Sequence, residues 1–343
     1  MYRIGIINVT GYAGVETARL LLHHPAARLV ACTGRSEAGR PLAAVFPHLF
    51  AYDLTIAPEL DGDLDLVISC LPHAASAAAL LPFIERGLPV IDVSADFRLK
   101  NADEYQAWYG VEHPAPHLLA EAVYGLPELY RDAIAGARIV ANPGCYPTSA
   151  ILALAPAIKA GLIEPGIVID SKSGISGAGR STRLEYHFSE ADEDVVAYGT
   201  KGHRHLPEIT QELARLAEAP TPRVTFVPHL VPMVRGIETT CYADLRRDRL
   251  GADPASEIRT LYRDFYRDAP FTRVVDAPPH TKHTAGSNYC LIYPWVDERA
   301  GRLVVSSVLD NLVKGAAGQA IENLNLMLGL DRSSGLTAPA LYP

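Results

Sequence analysis

The chain has 343 residues, 48% of them hydrophobic and 20% charged. That composition excludes a disordered protein, and the length suits two domains whose cores need no disulfide or metal staples. The formal net charge of -8 argues against nucleic-acid binding as the main role, and no apolar run of about 18 residues offers a membrane span.

The five cysteines, Cys32, Cys70, Cys145, Cys241 and Cys290, are scattered and form no C-x-x-C pair. Reduced thiols in a cytoplasmic protein are expected, rather than a disulfide framework or a structural zinc site. Met1–Ile7 leads straight into a strand-like run with no small-residue cleavage site, so no signal peptide is expected.

The first third of the chain alternates strands and helices. Strands are predicted at Tyr2–Asn8, Arg28–Thr33, Asp65–Leu71, Pro89–Val93 and Ala137–Ala141, with helices at Val15–His24 and Ala74–Arg86. His23 and His24 read as a helix end, where cations are welcome. This rhythm predicts an α/β unit with a parallel sheet. Past Cys145 comes a helix at Ser149–Lys159, then longer strands at Gly166–Ser171, Arg223–Leu230, Ile237–Asp244, Ser287–Val296 and Arg302–Leu309. With helices at Glu208–Ala217 and Pro254–Arg267, these predict an α+β domain with a mostly antiparallel sheet. A helix is predicted in the tail over Asn311–Leu328, and the acidic run Glu190–Asp194 reads as a solvated loop.

The first strand runs into Asn8-Val9-Thr10-Gly11-Tyr12-Ala13-Gly14 and then a helix. Glycines at such a turn let the backbone approach a pyrophosphate, while the helix start offers free N–H groups. Gly11, Tyr12, Ala13 and Gly14 are therefore candidate cofactor contacts, with an ordinary tight turn as the competing reading. Asn8 stands where the usual fingerprint has its first glycine. The second strand ends without an acidic residue at its tip. Arg35 and Ser36 instead offer a cation and a hydroxyl, as the 2′-phosphate of NADP would want.

Asn142-Pro143-Gly144-Cys145 follows a strand and precedes an apolar helix. A cysteine at a helix start has its thiolate stabilised by the dipole, so Cys145 is a candidate nucleophile, against the inert reading that suits the other four cysteines. Among the twelve histidines, His203 and His205 are the best-placed acid–base candidates. In an extended segment they would point to the same side. A metal site is the rival reading, but no third ligand is evident, and His73 and His283 stand as reserve candidates. Ser94–Arg98 and Ser173–Arg180 are candidate anion-binding segments, each ending in an arginine that could equally lie on the surface.

With these residues in view, the sequence resembles the N-acetyl-gamma-glutamyl-phosphate reductases of arginine biosynthesis, the longer bacterial type, within the semialdehyde dehydrogenase superfamily. The resemblance is carried by Thr10–Glu16, Ser94–Arg98, Asn142–Thr148, Ser176–Arg180, Gly202–Glu208, Gly286–Asn288 and Asp310–Gly318, from one end of the chain to the other. It implies a Rossmann NADP-binding domain over 1–145, completed by a C-terminal helix within 311–343. Over 146–310 it implies a glyceraldehyde-phosphate dehydrogenase-like catalytic and dimerisation domain. The partners implied are a small acyl phosphate and further copies of the chain, as a homodimer or homotetramer, with neither nucleic acid nor membrane and with no metal.

The same resemblance implies that Cys145 forms a thioester that NADPH reduces, with His203 or His205 as acid–base. Arg98 would bind phosphate, Ser94, Arg180 and Arg204 would hold substrate, and Ser176, Gly177, Asn311 and Gly315 would contact the cofactor. Relatives that act on a carrier-linked substrate resemble Asn-Ala after the cysteine, whereas this chain has Tyr146-Pro147. The alternative functions are thus a carrier-dependent reductase and, of a different class, an NADPH-binding redox sensor without turnover.

Overall fold

The structure, a computed structural model, describes residues 1–218 and 220–342. The chain divides into two compact units, one of residues 1–144 with 316–338 and the other of 145–315 with 339–343. The tail is thus shared: 311–315 and 339–343 group with the second unit, and 316–338 with the first.

The first unit is built on six parallel strands: β1 (Tyr2–Ile7), β2 (Ala27–Cys32), β3 (Leu66–Ser69), β4 (Val90–Asp92), β5 (Val123–Tyr124) and β6 (Ile139–Ala141). Their order is β2-β1-β3-β4-β6-β5. Ile4, Ile6, Val67, Ile68, Val90 and Ile91 are fully buried, as expected of strands covered on both faces. Helices Tyr12–Leu22, Ser76–Glu85 and the C-terminal Gly318–Met327 pack in this unit. The edge strand β5 lies outside β6, which the sequence reading placed last; at two residues it is too short to show a pattern.

Two readings in this unit are corrected. The tail helix starts at Val313 rather than Asn311, and its first five residues, Val313–Ala317, are wound as a π-helix before the α-helix Gly318–Met327. His24 is not a helix-end cation: its Nδ1 accepts the Ala26 and Ala27 backbone N–H groups, and its Nε2 pairs with Asn325 Oδ1 at 2.8 Å. Burial holds its pKa below the ordinary histidine value.

The second unit carries β7 (Ile163–Ser173), β8 (Val196–Ala197), β9 (Arg223–Leu230), β10 (Ile237–Leu245), β11 (Thr272–Val274), β12 (Cys290–Asp297) and β13 (Arg302–Leu309). They form one sheet in the order β11-β12-β13-β10-β7-β9-β8. Only the pairs β11–β12 and β7–β9 are parallel. Strict alternation gives the sheet two different faces. Ile167, Ile169, Thr239, Cys241 and Ala243 are buried on the face that holds the helices Cys145–Lys159, Leu206–Leu216 and Pro254–Phe265. Val168 and Tyr242 stay exposed on the other face. Every residue from Tyr146 to Ile158 is buried, which makes Cys145–Lys159 the central helix of this unit. No helix among the described residues is long and apolar enough to cross a membrane.

Candidate active site

In the first unit the turn after β1 explains the missing glycine. Asn8 sits at φ +65°, a left-handed conformation that asparagine tolerates better than most side chains. It is held there by Nδ2 donating to Cys70 O at 2.8 Å, by Oδ1 accepting from Thr10 Oγ1 and by its backbone N–H donating to Thr33 Oγ1. Gly14 cannot be replaced, because a Cβ there would lie 2.3 Å from Asn8 O. The helix Tyr12–Leu22 then starts at Gly11, which offers no side-chain cap, leaving its first N–H groups for a ligand. Tyr12 is exposed, and Gly11 and Ala13 are half-buried.

At the end of β2, Arg35 and Ser36 are exposed in a short 3₁₀ turn, and the nearby Glu37 is paired with Arg40. A cation and a hydroxyl are therefore presented where an acidic residue would favour a 2′-hydroxyl. These features fit a phosphorylated dinucleotide.

Ser94 and Arg98 are not on the surface. Ser94 donates to Asp92 Oδ2 at 2.9 Å. Arg98 gives its Nε to Asn142 O and an Nη2 to Val93 O, both at 2.8 Å. This braces the Asn142-Pro143-Gly144 turn directly before Cys145. Asn142 is further tied to Ala316 O and to Asn323. Asp96 closes the start of helix Ser76–Glu85 by accepting the N–H groups of Ala74, Ser76 and Ala77, so that end offers no anion site. Burial, followed by the charge of Asp96, pushes Asp92 up to about 6. His73 Nδ1 accepts the Ala95 N–H.

In the second unit, Cys145 is the first residue of its helix, four positions before the predicted start. It is half-buried, while the other four thiols are fully buried. Burial pushes Cys32 up to about 11 and Cys70 up to about 12, which makes those two thiols inert at neutral pH. Gly315 lies against Cys145: a Cβ there would be 2.8 Å from the cysteine Cβ. Asn311 is buried as a brace, donating Nδ2 to Ser176 Oγ at 2.9 Å and accepting the Gly236 N–H at 2.7 Å. Ser176 is buried, whereas Gly177, Arg180 and Arg204 are exposed.

His203 and His205 do come together, with ring centroids 4.8 Å apart. The segment is a turn, not the extended strand expected, because it leads directly into helix Leu206–Leu216. His203 Nδ1 accepts the backbone N–H of His205 at 3.1 Å, which leaves the ring proton on Nε2. Tyr146, Tyr198 and Phe226 surround His203 with centroids 5.7, 5.4 and 5.5 Å away. Desolvation by this burial, followed by the charge of Arg204, lowers His203 to about 4. Tyr198 donates to Tyr146 Oη at 3.1 Å, and Tyr146 donates to His229 O at 3.2 Å. Burial raises the pKa of both phenols, and the negative charge of a Cys145 thiolate adds to this. Cys145, the two tyrosines and the two histidines are thus one neighbourhood.

Tyr198 and Phe226 were not singled out from the sequence, since nothing in their local pattern distinguishes them from ordinary strand aromatics. His283 lies elsewhere in the second unit, stacked on His280 at 4.9 Å. Among the described residues no cluster of His, Cys, Asp and Glu is arranged to hold a metal.

Comparison with known proteins agrees with this layout. Residues 3–137 match the family model for the semialdehyde dehydrogenase NAD binding domain, and residues 145–311 match that for the semialdehyde dehydrogenase dimerisation domain. A protein of Dehalococcoides mccartyi strain CBDB1 is 56% identical over 100% of this chain and 99% of its own length. One of Pelotomaculum thermopropionicum is 51% identical over 99% of each. Both are named N-acetyl-gamma-glutamyl-phosphate reductase. Among solved structures, aspartate semialdehyde dehydrogenase II of Vibrio cholerae shares the fold with a TM-score of 0.71 at 17% identity, covering 96% of this chain and 98% of that one. Aspartate semialdehyde dehydrogenase with NADP from Candida albicans does so with a TM-score of 0.71 at 16% identity, covering 96% of this chain and 98% of that one.

Proposed function

Because the chain belongs to the N-acetyl-gamma-glutamyl-phosphate reductase family, we propose that it reduces N-acetyl-γ-glutamyl phosphate to the 5-semialdehyde and phosphate in arginine biosynthesis. The observation that carries this reading is the half-buried Cys145 at a helix start, in one neighbourhood with the His203–His205 ring pair and with Gly315 against it.

The Cys145 thiolate attacks the γ-carbonyl carbon of the acyl phosphate, the C–O bond to phosphate breaks, and a thioester remains. A thioester accepts hydride far more readily than a carboxylate. NADPH, when bound, would supply a hydride to the thioester carbonyl carbon, and a proton from His205 on the carbonyl oxygen completes the thiohemiacetal. Breaking its C–S bond returns that proton to His205, releases the aldehyde and restores the thiolate.

Of the two histidines, His205 fits the acid–base role. His203 has its Nδ1 committed to a backbone N–H and keeps a proton on Nε2, so it has no open nitrogen with which to take a proton. Gly11, Tyr12, Ala13 and Gly14 hold the pyrophosphate, Arg35 and Ser36 the 2′-phosphate, and Ser176, Gly177, Asn311 and Gly315 the nicotinamide side. Arg98 binds phosphate while bracing the cysteine loop, and Arg180 and Arg204 contribute to holding substrate, whereas the buried Ser94 hydroxyl is spent on Asp92.

The substrate is free, not carrier-linked. Tyr146, directly after the nucleophile, is only 3% exposed, and its ring fills the space beside both histidines. With N-acetylglutamate semialdehyde, phosphate and NADP, absorbance at the NADPH band should rise without any carrier. Activity seen only with a carrier-linked semialdehyde would transfer the chain to the lysine-type reaction.

Arg35→Ala should weaken NADP(H) about 10- to 100-fold and NAD(H) little, the loss expected for a charge-assisted hydrogen bond to phosphate. Equal losses for the two cofactors, measured by fluorescence titration, would remove Arg35 from 2′-phosphate recognition.

The protein works in the cytoplasm, in keeping with five free thiols, and as a homodimer or homotetramer. A second copy covers the open face of the second unit's sheet, where Val168 and Tyr242 are exposed and Tyr293 stacks on Trp295 at 5.3 Å. Light scattering should report at least a dimer, and a strictly monomeric enzyme would reject that assembly.

A further inference from the structure

Tyr198 lies outside every motif that carries the family resemblance, yet it touches both halves of the imidazole neighbourhood. Its ring packs edge-on to His203 at 5.4 Å, and its hydroxyl donates to Tyr146 Oη at 3.1 Å. Its own backbone N–H is tied to Pro228 O at 3.0 Å, so the β8–β9 edge fixes its place. Tyr146 donates its hydroxyl proton to His229 O at 3.2 Å, and Ser173 also bonds that hydroxyl. The Tyr146 ring in turn sits 5.7 Å from His203 and 5.9 Å from His205. Phe226 of β9 closes the third side of His203 at 5.5 Å. Gly199 packs on the same histidine, since a Cβ there would be 3.2 Å from His203 Cβ.

We propose that Tyr198 is a positioning residue: its ring completes an aromatic cage around His203, and its hydroxyl fixes Tyr146 against the imidazole pair. The physical need is electrostatic. Two imidazoles 4.8 Å apart cannot both take a proton cheaply, because like charges at that distance oppose each other. An uncharged His203 places no like charge beside His205 when that ring takes and returns a proton. The groups facing His203 agree with this assignment. The titratable side chains are His205 in its own turn, Tyr146 from the central helix and Tyr198 from the segment before it. Arg204, next to it in sequence, opposes a charge on His203 and adds to the desolvation.

This inference deepens the reductase reading and rests on it for its catalytic meaning, but it is read first without substrate. His203 is titrated by NMR in the full-length protein and in two variants. Tyr198→Ala opens the cage, and the His203 midpoint should rise by about one unit or more as water reaches the ring. Tyr198→Phe keeps the ring and loses only the hydroxyl. The His203 midpoint should then stay in place while kcat falls about two- to tenfold, the loss expected for one hydrogen bond. In Tyr198→Ala, kcat/KM should also fall selectively at the acid end of its pH profile, as a charged His203 opposes proton uptake by His205. An unmoved His203 midpoint in Tyr198→Ala would overturn the proposal. Equal shifts in both variants would overturn it too, since they would assign the effect to the hydroxyl alone. Should the alanine variant unfold on heating controls, Tyr198→Leu opens the cage with less loss of packing and is read the same way. Absence of turnover by the unaltered enzyme would count against the reductase reading and leave the titration result standing.

Discussion

Cys145→Ser should lose turnover by roughly 10⁴-fold or more, the scale of removing one member of a covalent catalytic set, with NADPH affinity unchanged. A hydroxyl is weakly nucleophilic at its free pKa, and a helix start that stabilises a thiolate cannot ionise a serine at neutral pH. The substitution is also structurally mild. Cys145 opens its helix, half-buried, with Gly315 packed against its Cβ, and serine keeps that Cβ and is no larger. A folded, cofactor-binding and inactive protein is therefore the expected result, with melting temperature and NADPH titration as controls. A serine variant within tenfold of the parent, roughly one unit of transition-state stabilisation on the logarithmic scale, would rule out thioester chemistry.

The second large effect separates the histidines. His205→Asn should lower kcat by about 10²- to 10⁴-fold, the usual worth of a positioned acid–base group. His203→Asn should cost about tenfold or less, because an amide oxygen can still accept the His205 backbone N–H that Nδ1 accepts now. The pH dependence carries the same distinction. His203 is lowered to about 4 by burial and by Arg204. A lowered histidine pKa means that the neutral form persists above that value, so His203 does not change charge between about pH 5 and 8. Any limb of the rate profile in that window belongs to another group and should survive in His203→Asn. If His203→Asn proved the dead variant and His205→Asn the active one, the tautomer argument would be wrong.

The polar network around Asp92 shows how a functional reading and a structural one can share residues. Ser94 and Arg98 were legible as an anion-binding segment because a serine and an arginine follow a parallel strand. In the folded protein the serine hydroxyl is spent on Asp92, and two arginine N–H groups are spent on Val93 O and Asn142 O. Buried carbonyls must be satisfied, and an arginine is long enough to do this and still carry charge to the cysteine loop.

The sequence by itself determined the two kinds of sheet, since near-continuous apolar runs such as Ile4–Ile7 and alternating runs such as Ile237–Leu245 are legible without a partner. It also made the Gly11–Gly14 turn, Cys145 at a helix start and the His203–His205 pair legible as candidates, because each is carried by a few adjacent residues whose chemistry is local. Tertiary structure alone decided the rest. That Asn8 stands in for glycine depends on Cys70 and Thr33, residues just past the ends of β3 and β2 that hold it at positive φ. That His203 is neutral depends on Tyr146, Tyr198 and Phe226, up to 57 positions away along the chain. The physical reason is that desolvation and hydrogen-bond direction are properties of what surrounds a side chain, and the surroundings are assembled by folding from segments that carry no mark of it in their own sequence.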